Sequence, residues 1–379
     1  MAAGLEQYGH GGDRQTAQER FGREADSFVD FSANINPLGP PPGVVEELKR
    51  ALQEPGTPTL TAYPDPVCRR LTQVLAQWLG VSPEQVLPGN GAAELIDLIH
   101  TVAEPRVVGV IHPSFSEYEA AARKRKLEVI PLKTRWEKGF LPERESLLAW
   151  IREVDLAWIG HPNNPTGTRL PYEDLVAAAE EAARWDTVLA VDEAFLDFIP
   201  AEEATTLLPH LEAFPTTLLF RSMTKFYAIP GLRLGFVVAS ADWIEAMRRW
   251  QIPWSVNAWA QLAGVAALKK TGFEAETWAW LVEEKRYLTH QLRSLPGVEV
   301  LAGEANYLLL RLEKRAAMEG ISSRWLQERL GAKGILIRDG STYPGLDDRY
   351  LRVAIRSREE NEQLLSALTP LLPAGGVPS

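Results

Sequence analysis

Short apolar runs alternate with helical stretches through the middle of the chain, and this pattern limits the fold more than any other feature. The runs with strand character are Val107–Ile111, Glu128–Leu132, Leu156–Ile159, Thr187–Val191, Thr217–Phe220 and Gly235–Ala239. The stretches with helical periodicity between them are Glu117–Arg125, Glu143–Ile151 and Tyr172–Trp185. Such alternation places helices on both faces of a mostly parallel sheet. The sequence therefore predicts an α/β fold with a large, mostly parallel-sheet domain.

The pattern changes in the last part of the chain. Two long helical stretches, Asp242–Lys269 and Phe273–Arg293, precede a region in which short strands such as Ile335–Arg338 mix with short helices. We predict a smaller α+β C-terminal domain there. The predicted organisation of the 379 residues is an N-terminal arm with loops packing near the small domain (1–42), a large domain (43–270) and a small domain (271–379).

Polar and aromatic residues follow several of the predicted strands. Phe115 and Tyr118 come after one strand, Asn163–Gly167 after another, and Asp192 and Lys225 after two more. Because ligands of such sheets bind at the carboxyl ends of the strands, these residues are expected to meet at one rim. No single one of them is specific, but four converging features indicate a functional site.

The residues around Lys225 are the centre of the predicted chemistry. The stretch Ser222–Arg233 follows a buried strand and contains the hydroxyls of Ser222 and Thr224 and the guanidinium of Arg233. A lysine buried at a strand end loses solvation, which lowers its pKa and provides a neutral amine for imine formation. Hydroxyls and an arginine are suitable phosphate ligands. The natural interpretation is a lysine that binds pyridoxal 5'-phosphate (PLP), beside the ligands of its phosphate.

Two other interpretations of this stretch are open. A lysine near serine, threonine and arginine is, taken alone, usually part of a solvated loop. Ser222–Lys225 also has the S-x-x-K pattern of penicillin-binding enzymes, and Ser255–Asn257 and Lys270–Gly272 follow it. That set requires a serine at the start of a helix, and Pro230 leaves little room for one.

A glycine-rich turn supplies a further anion site. Gly89–Glu94 reads G-x-G-x-x-E before a helical stretch, and glycines that open a helix let backbone N–H groups face an anion. The candidate ligands are Asn90, Gly91 and Ala92. The pattern is close to a dinucleotide fingerprint, but it lacks the third glycine, and the next strand leads into His112 rather than an acid.

A PLP site also needs an acid at the pyridine nitrogen, an aromatic ring against the cofactor and a donor to its 3-hydroxyl. Asp192 is the candidate acid, although Asp192-Glu193 could equally cap a helix. Phe115 or Tyr118 would stack on the ring, and Asn164 would donate to the 3-hydroxyl.

Two arginines of the small domain stand at predicted strand ends. Arg338 and Arg352, with Arg356 nearby, have the planar group that binds carboxylate or phosphate through two hydrogen bonds. Their convergence would indicate a substrate with two or three negative charges. A solvated arginine face is the alternative.

Composition narrows the class of partner. The net charge of -10 argues against general binding to nucleic acid or anionic membranes, and no apolar run reaches membrane-spanning length. The single cysteine, Cys68, rules out an intrachain disulfide framework and fits a reducing compartment. The polar start of the sequence has no apolar segment of the kind found in a secretory signal. We therefore expect a cytoplasmic protein without a metal site.

These motifs together resemble a known family. Asn163–Gly167, Asp192–Phe195 and Ser222–Arg233 are similar to the fold-type-I PLP enzymes of the aspartate-aminotransferase group, and the histidinol-phosphate aminotransferase branch is nearest. Other stretches resemble more narrowly the L-threonine-O-3-phosphate decarboxylases of cobalamin biosynthesis. These stretches are His10–Gly12, Asp30–Gly39, Phe115–Tyr118, Phe226–Gly231, Ile252–Asn257 and Tyr343–Asp347.

The resemblance implies roles for the matching residues. Lys225 would hold PLP, and Tyr63 would reach the PLP phosphate of a partner subunit, which implies a homodimer. One departure is Phe195, which stands where many of these enzymes have a tyrosine that bonds the 3-hydroxyl. The residues that would hold a phosphorylated amino acid are His10, Gly11, Asn34, Asn164, Arg338 and Arg352.

The implied reaction is decarboxylation of O-phospho-L-threonine to (R)-1-amino-2-propanol O-2-phosphate and CO2. An aminotransferase of the histidinol-phosphate type, which uses a 2-oxoacid, is the alternative from the same cofactor site. A binding or regulatory protein that keeps the fold without turnover is a third. Because one lysine and one phosphate site serve both reactions, residues near the two ends of the chain must decide between them.

Overall fold

The fold is known here from a computed structural model, which describes Leu5, residues 11–269 and residues 272–373. His10, which the resemblance places at the substrate, lies outside these residues, as do Lys270 and Thr271 of the possible penicillin-binding set. The strands are β1 Val29–Asp30, β2 Val86–Asn90, β3 Val107–His112, β4 Glu128–Lys133, β5 Leu156–Gly160, β6 Val188–Asp192, β7 Thr217–Ser222, β8 Leu234–Val238, β9 Val298–Leu301, β10 Tyr307–Leu312, β11 Ile335–Leu336, β12 Arg338–Asp339 and β13 Tyr350–Ala354.

Helices connect most of these strands. They are α1 Arg14–Phe21, α2 Pro42–Gln53, α3 Pro58–Thr61, α4 Arg69–Leu79, α5 Ala92–Val102, α6 Ser116–Lys124, α7 Arg144–Ile151, α8 Tyr172–Trp185, α9 Ala241–Trp250, α10 Ala258–Ala267, α11 Phe273–Arg293, α12 Lys314–Met318, α13 Ser323–Ala332 and α14 Arg358–Leu368. None of these helices combines the length and apolar character needed to cross a membrane.

The large sheet has seven strands in the order β2-β8-β7-β6-β5-β3-β4. β8 runs opposite to the other six strands, which all share one direction, so the prediction of a mostly parallel sheet is confirmed. Pairing of Gly160 with Asp192, and of Asp192 with Phe220, brings the carboxyl ends of β5, β6 and β7 to one edge. The candidate residues that follow these strands therefore lie near one another at this edge of the sheet.

Apolar side chains cover both faces of this sheet. One cluster includes Ile96 of α5, Trp158 of β5 and Met247 of α9. The other face packs against α4, α7, α8 and α10, and its cluster continues into the small domain. Strands buried on both faces read as continuous apolar runs, which is why the sequence predicted them well.

The small domain contains an antiparallel sheet in the order β12-β13-β10-β9. The long helix α11 packs on β9 and α14. Near the start of the chain, β1 pairs in parallel with β11, where Val29 lies opposite Ile335. The N-terminal segment thus lies beside the small domain while its following loop reaches the large one.

Two predicted elements differ from the structure. The predicted helix Asp242–Lys269 is two helices, α9 and α10, because Pro253 cannot donate a backbone hydrogen bond and Asn257 begins a new helix by accepting from Ala260 N at 2.8 Å. The predicted strand Ile335–Arg338 divides at Ile337. Its two halves, β11 and β12, belong to different sheets.

Candidate active site

A cavity of about 510 Å³ lies at the carboxyl edge of the large sheet, between that sheet, the N-terminal segment and the small domain. Predicted site residues that line it are Gly11, Asn34, Ala92, Phe115, Tyr118, Asn164, Asp192, Ser222, Thr224, Lys225, Arg233, Arg338 and Arg352. Tyr63, Asn90 and Gly91 are not among the lining residues. The structure therefore brings together, in one space, residues that are more than 300 positions apart in the sequence.

Lys225 lies three residues beyond the end of β7. Its loop is held in place from both sides, because Met223 N donates to Leu234 O at 3.1 Å and Asn36 N donates to Lys225 O at 3.1 Å. The Asn36 side chain also donates to Phe226 O and to Thr277 Oγ1 of α11, each at 3.0 Å. Asn36 therefore joins three segments: its own loop, the lysine loop and α11.

The surroundings of Lys225 favour its neutral form. Burial lowers the pKa of Lys225 to about 8, and the positive charges of Arg352 and Arg233 act in the same direction. An unprotonated amine is the form that attacks a carbonyl carbon. Lys225 thus has the burial and the lowered pKa that a nucleophilic amine needs, and its role as the nucleophile stays a prediction.

Asp192 ends β6, the strand next to β7. Its Oδ1 accepts from Ala194 N at 2.9 Å and its Oδ2 accepts from Tyr118 Oη at 2.5 Å. Burial raises the pKa of Asp192, while these two hydrogen bonds and the charge of Lys225 lower it. The hydrogen bonds hold a carboxylate in a fixed direction at the cavity wall.

Tyr118 has a role that the sequence did not indicate. Its ring stacks on Trp158 with centroids 4.5 Å apart and an interplanar angle of 3°, and its hydroxyl binds Asp192. Burial and the neighbouring Asp192 keep the pKa of Tyr118 well above its usual value, so the hydroxyl remains a donor. Phe115 meets Tyr118 edge to face at 5.7 Å and also lines the cavity. Sequence spacing does not tell Phe115 and Tyr118 apart. The structure distinguishes them, because only Tyr118 has a hydroxyl and this hydroxyl binds Asp192.

The ligands predicted for a phosphate surround the start of α5. Ala92 begins this helix, and Ser222 Oγ lies 2.8 Å from Thr224 Oγ1 at the same cavity wall. Gly91 has a φ of 75°, and a Cβ there would lie 2.6 Å from Arg233 Nη2. Only glycine leaves that space for the guanidinium. A helix N-terminus, two hydroxyls and an arginine form a donor set that fits the phosphate of PLP.

Glu94 explains the rest of the glycine-rich motif. Its carboxylate accepts from Asn90 N at 2.6 Å, and Asn90 is exposed. The acid thus stabilises the turn before α5 instead of facing a ribose. Neither this geometry nor the strand end at His112 supports the dinucleotide interpretation.

Asn164 presents its side chain between the two domains. Its Oδ1 accepts from Arg352 Nη1 at 2.5 Å and from Tyr343 Oη at 3.2 Å. The amide NH2 group therefore points away from both and donates to none of the residues that the structure describes, so it can serve a ligand oxygen. Phe195 also lines the cavity and has no hydroxyl to offer, whereas Tyr343, to which no role was assigned, brings one.

Arg338 and Arg352 lie directly opposite each other on β12 and β13. Both are buried, and both line the cavity. Like charges directly opposite on neighbouring strands repel each other, so an anion between them stabilises the pair. Arg356 differs, since it donates to Asp30 O at 3.2 Å and pairs with Glu360 at 2.7 Å, and it does not line the cavity.

The N-terminal loop contributes several cavity residues. Asn34 is buried, and its Oδ1 has no hydrogen-bond partner among the residues that the structure describes. The sequence-based prediction of individual roles did not include Gly12, Arg14, Asp30 and Ser32, which line the cavity as well. Gly12, Asp30 and Ser32 belong to the stretches His10–Gly12 and Asp30–Gly39, which was the only signal for them, and Arg14 had none.

Tyr63 lies outside the cavity on the surface. It is 84% exposed, and its ring packs against that of Trp254 at 5.1 Å. Ser222, in turn, ends a strand and does not begin a helix, so the penicillin-binding interpretation is wrong.

Known proteins are similar to this chain over most of its length. The sequence model of the family "Aminotransferase class I and II" matches residues 26–368.

The chain belongs to this family.

Within the aminotransferase class I and II family, the chain is 43% identical over 365 residues to threonine-phosphate decarboxylase of Salmonella typhimurium, with 96% of each chain covered. It is 34% identical to histidinol-phosphate aminotransferase of Desulfitobacterium hafniense, with 91% of this chain and 92% of that one covered. A solved structure of histidinol-phosphate aminotransferase from Sinorhizobium meliloti in complex with pyridoxal-5'-phosphate has the same fold. Its TM-score is 0.84 at 22% identity, and 94% of each chain is covered.

Replacing Tyr118 by Phe should lower the activity most at acidic pH. Loss of the hydroxyl removes a contact that lowers the pKa of Asp192, so the carboxylate would become protonated at a higher pH as the solution is acidified. We expect kcat to fall about tenfold near neutral pH, as for loss of a hydrogen bond to a charged group. A pH–rate profile whose acidic limb does not move to higher pH would contradict this role.

Replacing Lys225 by Ala should abolish the visible absorbance of lysine-bound PLP. In the native chain, uptake of PLP by cofactor-free protein should accelerate as the pH rises through about 8, because the amine becomes neutral there. Lys285→Ala is the matched control, since burial lowers the pKa of that lysine to about 8 as well, yet it does not line the cavity. If Lys225→Ala retains this absorbance and Lys285→Ala loses it, Lys225 is not the lysine that binds PLP.

Proposed function

We propose that this protein is a PLP-dependent decarboxylase that converts O-phospho-L-threonine to (R)-1-amino-2-propanol O-2-phosphate and CO2, in cobalamin biosynthesis. The observation that carries the proposal is the pair Arg338 and Arg352, which lie opposite each other in the cavity of Lys225. A substrate with a carboxylate and a phosphate matches two such cations. The identity of 43% to a threonine-phosphate decarboxylase supports the same reaction.

PLP, when bound, withdraws electrons from the bond that breaks at the substrate α-carbon. In our proposal Lys225 supplies the amine that holds the cofactor, and this amine afterwards holds a proton close to that carbon. Asp192 faces the cavity as a carboxylate that Tyr118 and Ala194 orient, so that it can accept a hydrogen bond from a protonated pyridine nitrogen.

Ser222, Thr224, Arg233 and the N-terminus of α5 are the proposed phosphate ligands of the cofactor. Phe115 is the proposed stacking residue, because the hydroxyl and one face of Tyr118 are already engaged by Asp192 and Trp158. Asn164 would donate from its NH2 group to the 3-oxygen. With Phe195 in place of a tyrosine, Asn164 has more of this role.

The two anionic groups of the substrate, its carboxylate and its phosphate, determine which bond at the α-carbon breaks. A bond at the α-carbon breaks fastest when it stands perpendicular to the cofactor ring, since it then overlaps the π system. Arg352, Arg338 and the buried amide of Asn34 would hold the two anionic ends and thereby direct the carboxylate bond to that position. His10 and the backbone of Gly11 are further proposed ligands.

We also propose that the protein is a cytoplasmic homodimer. A monomer would leave the apolar residues around Tyr63 exposed. Tyr63 also lies outside the cavity of its own chain, so a role at a PLP phosphate requires the cavity of a partner subunit. Leu60 is 61% exposed and Ile252 is 74% exposed, and they accompany Tyr63 and Trp254 at this surface. A boundary between a large domain (43–270) and a small domain (271–379) is part of the same proposal.

The direct test is release of CO2 from O-phospho-L-threonine by the PLP-loaded protein with no 2-oxoacid present. We expect steady release that does not increase when a 2-oxoacid is added. No CO2 at saturating substrate would exclude the decarboxylase. Turnover of histidinol phosphate that depends on a 2-oxoacid would identify an aminotransferase instead, and absence of turnover on either substrate would favour a binding protein.

A mixing experiment tests the dimer. Lys225→Ala should be inactive. Tyr63→Ala should bind PLP weakly, because the phosphate of PLP loses a ligand. If Tyr63 serves the partner's site, a hybrid dimer of the two variants contains one intact site, so part of the native activity should return after mixing. Activity that stays at the sum of the separate variants, in a sample shown by native mass spectrometry to contain hybrids, would contradict the shared site.

A further inference from the structure

The N-terminal segment is attached to the cavity mouth through one serine. Gly12 N donates to Ser32 Oγ at 2.9 Å. Ser32 in turn donates from its hydroxyl to Asp30 Oδ1 at 2.6 Å, and its backbone N–H donates to the same oxygen at 2.8 Å. Ser32 and Asp30 are both buried. Their hydrogen bonds therefore form away from competing water and hold the serine in a single orientation.

The two glycines, Gly11 and Gly12, which we call the strap, fit closely against this serine. A Cβ on Gly11 would overlap the Ser32 carbonyl group, and Gly12 has a φ of 91°. A side chain at Gly11 would therefore push the strap off the cavity. The close approach explains why this segment needs glycine, independently of any ligand.

Ser32 also contacts the arginine at the other side of the cavity. Arg352 Nη2 donates to Ser32 O at 2.5 Å, while Arg352 Nη1 donates to Asn164 Oδ1 at 2.5 Å. The strap thus binds the side chain of Ser32, and Arg352 binds its carbonyl. One residue joins the N-terminal segment to the guanidinium that faces the substrate.

We propose that Ser32, oriented by Asp30, is the positioning residue that seats the strap on the cavity and couples it to Arg352. The proposal rests on the decarboxylase function for the identity of its ligand, a phosphorylated amino acid. An anion that fixes Arg352 also fixes the Ser32 carbonyl, and through it the hydroxyl that holds Gly12. Binding of the substrate and seating of the strap then stabilise each other.

The test uses Ser32→Ala and Gly11→Ala in the full-length, PLP-loaded protein, because they release the strap in two different ways. Ser27→Ala is the matched control, since its hydroxyl donates to Glu24 O at an exposed position outside the cavity. Arg14 is the first arginine or lysine of the sequence and begins α1 directly after the strap, with its N–H donating to Gly12 O at 3.1 Å. Tryptic cleavage after Arg14 therefore reports opening of the first turn of α1, which release of the strap should promote.

Without substrate, we expect Ser32→Ala and Gly11→Ala to be cleaved after Arg14 about fivefold or more faster than the native chain, as for loss of one buried hydrogen bond. Ser27→Ala should be cleaved at the native rate, and PLP absorbance should be unchanged in all three variants. Equal cleavage rates in Ser32→Ala and the native chain would overturn the proposal, whatever reaction the protein performs.

With substrate, the KM for O-phospho-L-threonine should rise about 5- to 20-fold in Ser32→Ala, while kcat changes little. O-phospho-L-threonine should slow cleavage in the native chain, and a higher concentration should be needed in the variant. A fall in kcat with unchanged KM would assign Ser32 a structural role. If the native protein releases no CO2, the decarboxylase proposal fails, and the cleavage rates without substrate still decide about the strap.

Discussion

Burial of opposite charges at the ends of two neighbouring strands is the interaction on which the site depends. Asp192 ends β6 and Lys225 follows β7, and both lie where water is largely excluded. A buried carboxylate needs hydrogen bonds, and Asp192 obtains them from Ala194 and Tyr118. Burial and the charges of Arg352 and Arg233 lower the pKa of Lys225 more than the carboxylates of Asp30 and Asp192 raise it, so the neutral amine is favoured. Unequal solvation of two adjacent groups thus produces a fixed acid and a reactive amine.

A second buried network holds these strand ends together. Arg221, just before Ser222, binds Glu193, just after Asp192, at 2.7 Å, and it binds Asp197 at 3.0 Å. Burial raises the pKa of Glu193, and the Arg221 charge opposes this change. Removing one partner of such a network leaves an uncompensated charge in the interior, which costs about 3–5 kcal/mol. The network therefore fixes the register in which the two chemical groups face the cavity.

The sequence predicted the fold through its apolar patterns and the site through strand ends. Tyr172–Trp185 and Phe273–Arg293 have the predicted bounds, and Lys225, Asp192 and Asn164 line one cavity because parallel strands end at one edge. The hydrogen bond of Tyr118 to Asp192 could not be predicted, since spacing along a helix does not tell which ring reaches which carboxylate. Nor could the contact of Arg352 with Ser32, because it joins positions 320 residues apart.

The bridge made by Asn36 has a consequence for motion. The loop that carries Asn34, the loop that carries Lys225 and helix α11 meet at this one side chain. A displacement of α11 would therefore carry the Asn34 amide and the Lys225 amine, which both line the cavity, in the same direction. Hydrogen bonds from Asn36 to Lys225 O and Phe226 O hold the two loops together locally. A movement of α11 would therefore shift the two loops together and leave the distance between Asn34 and Lys225 little changed.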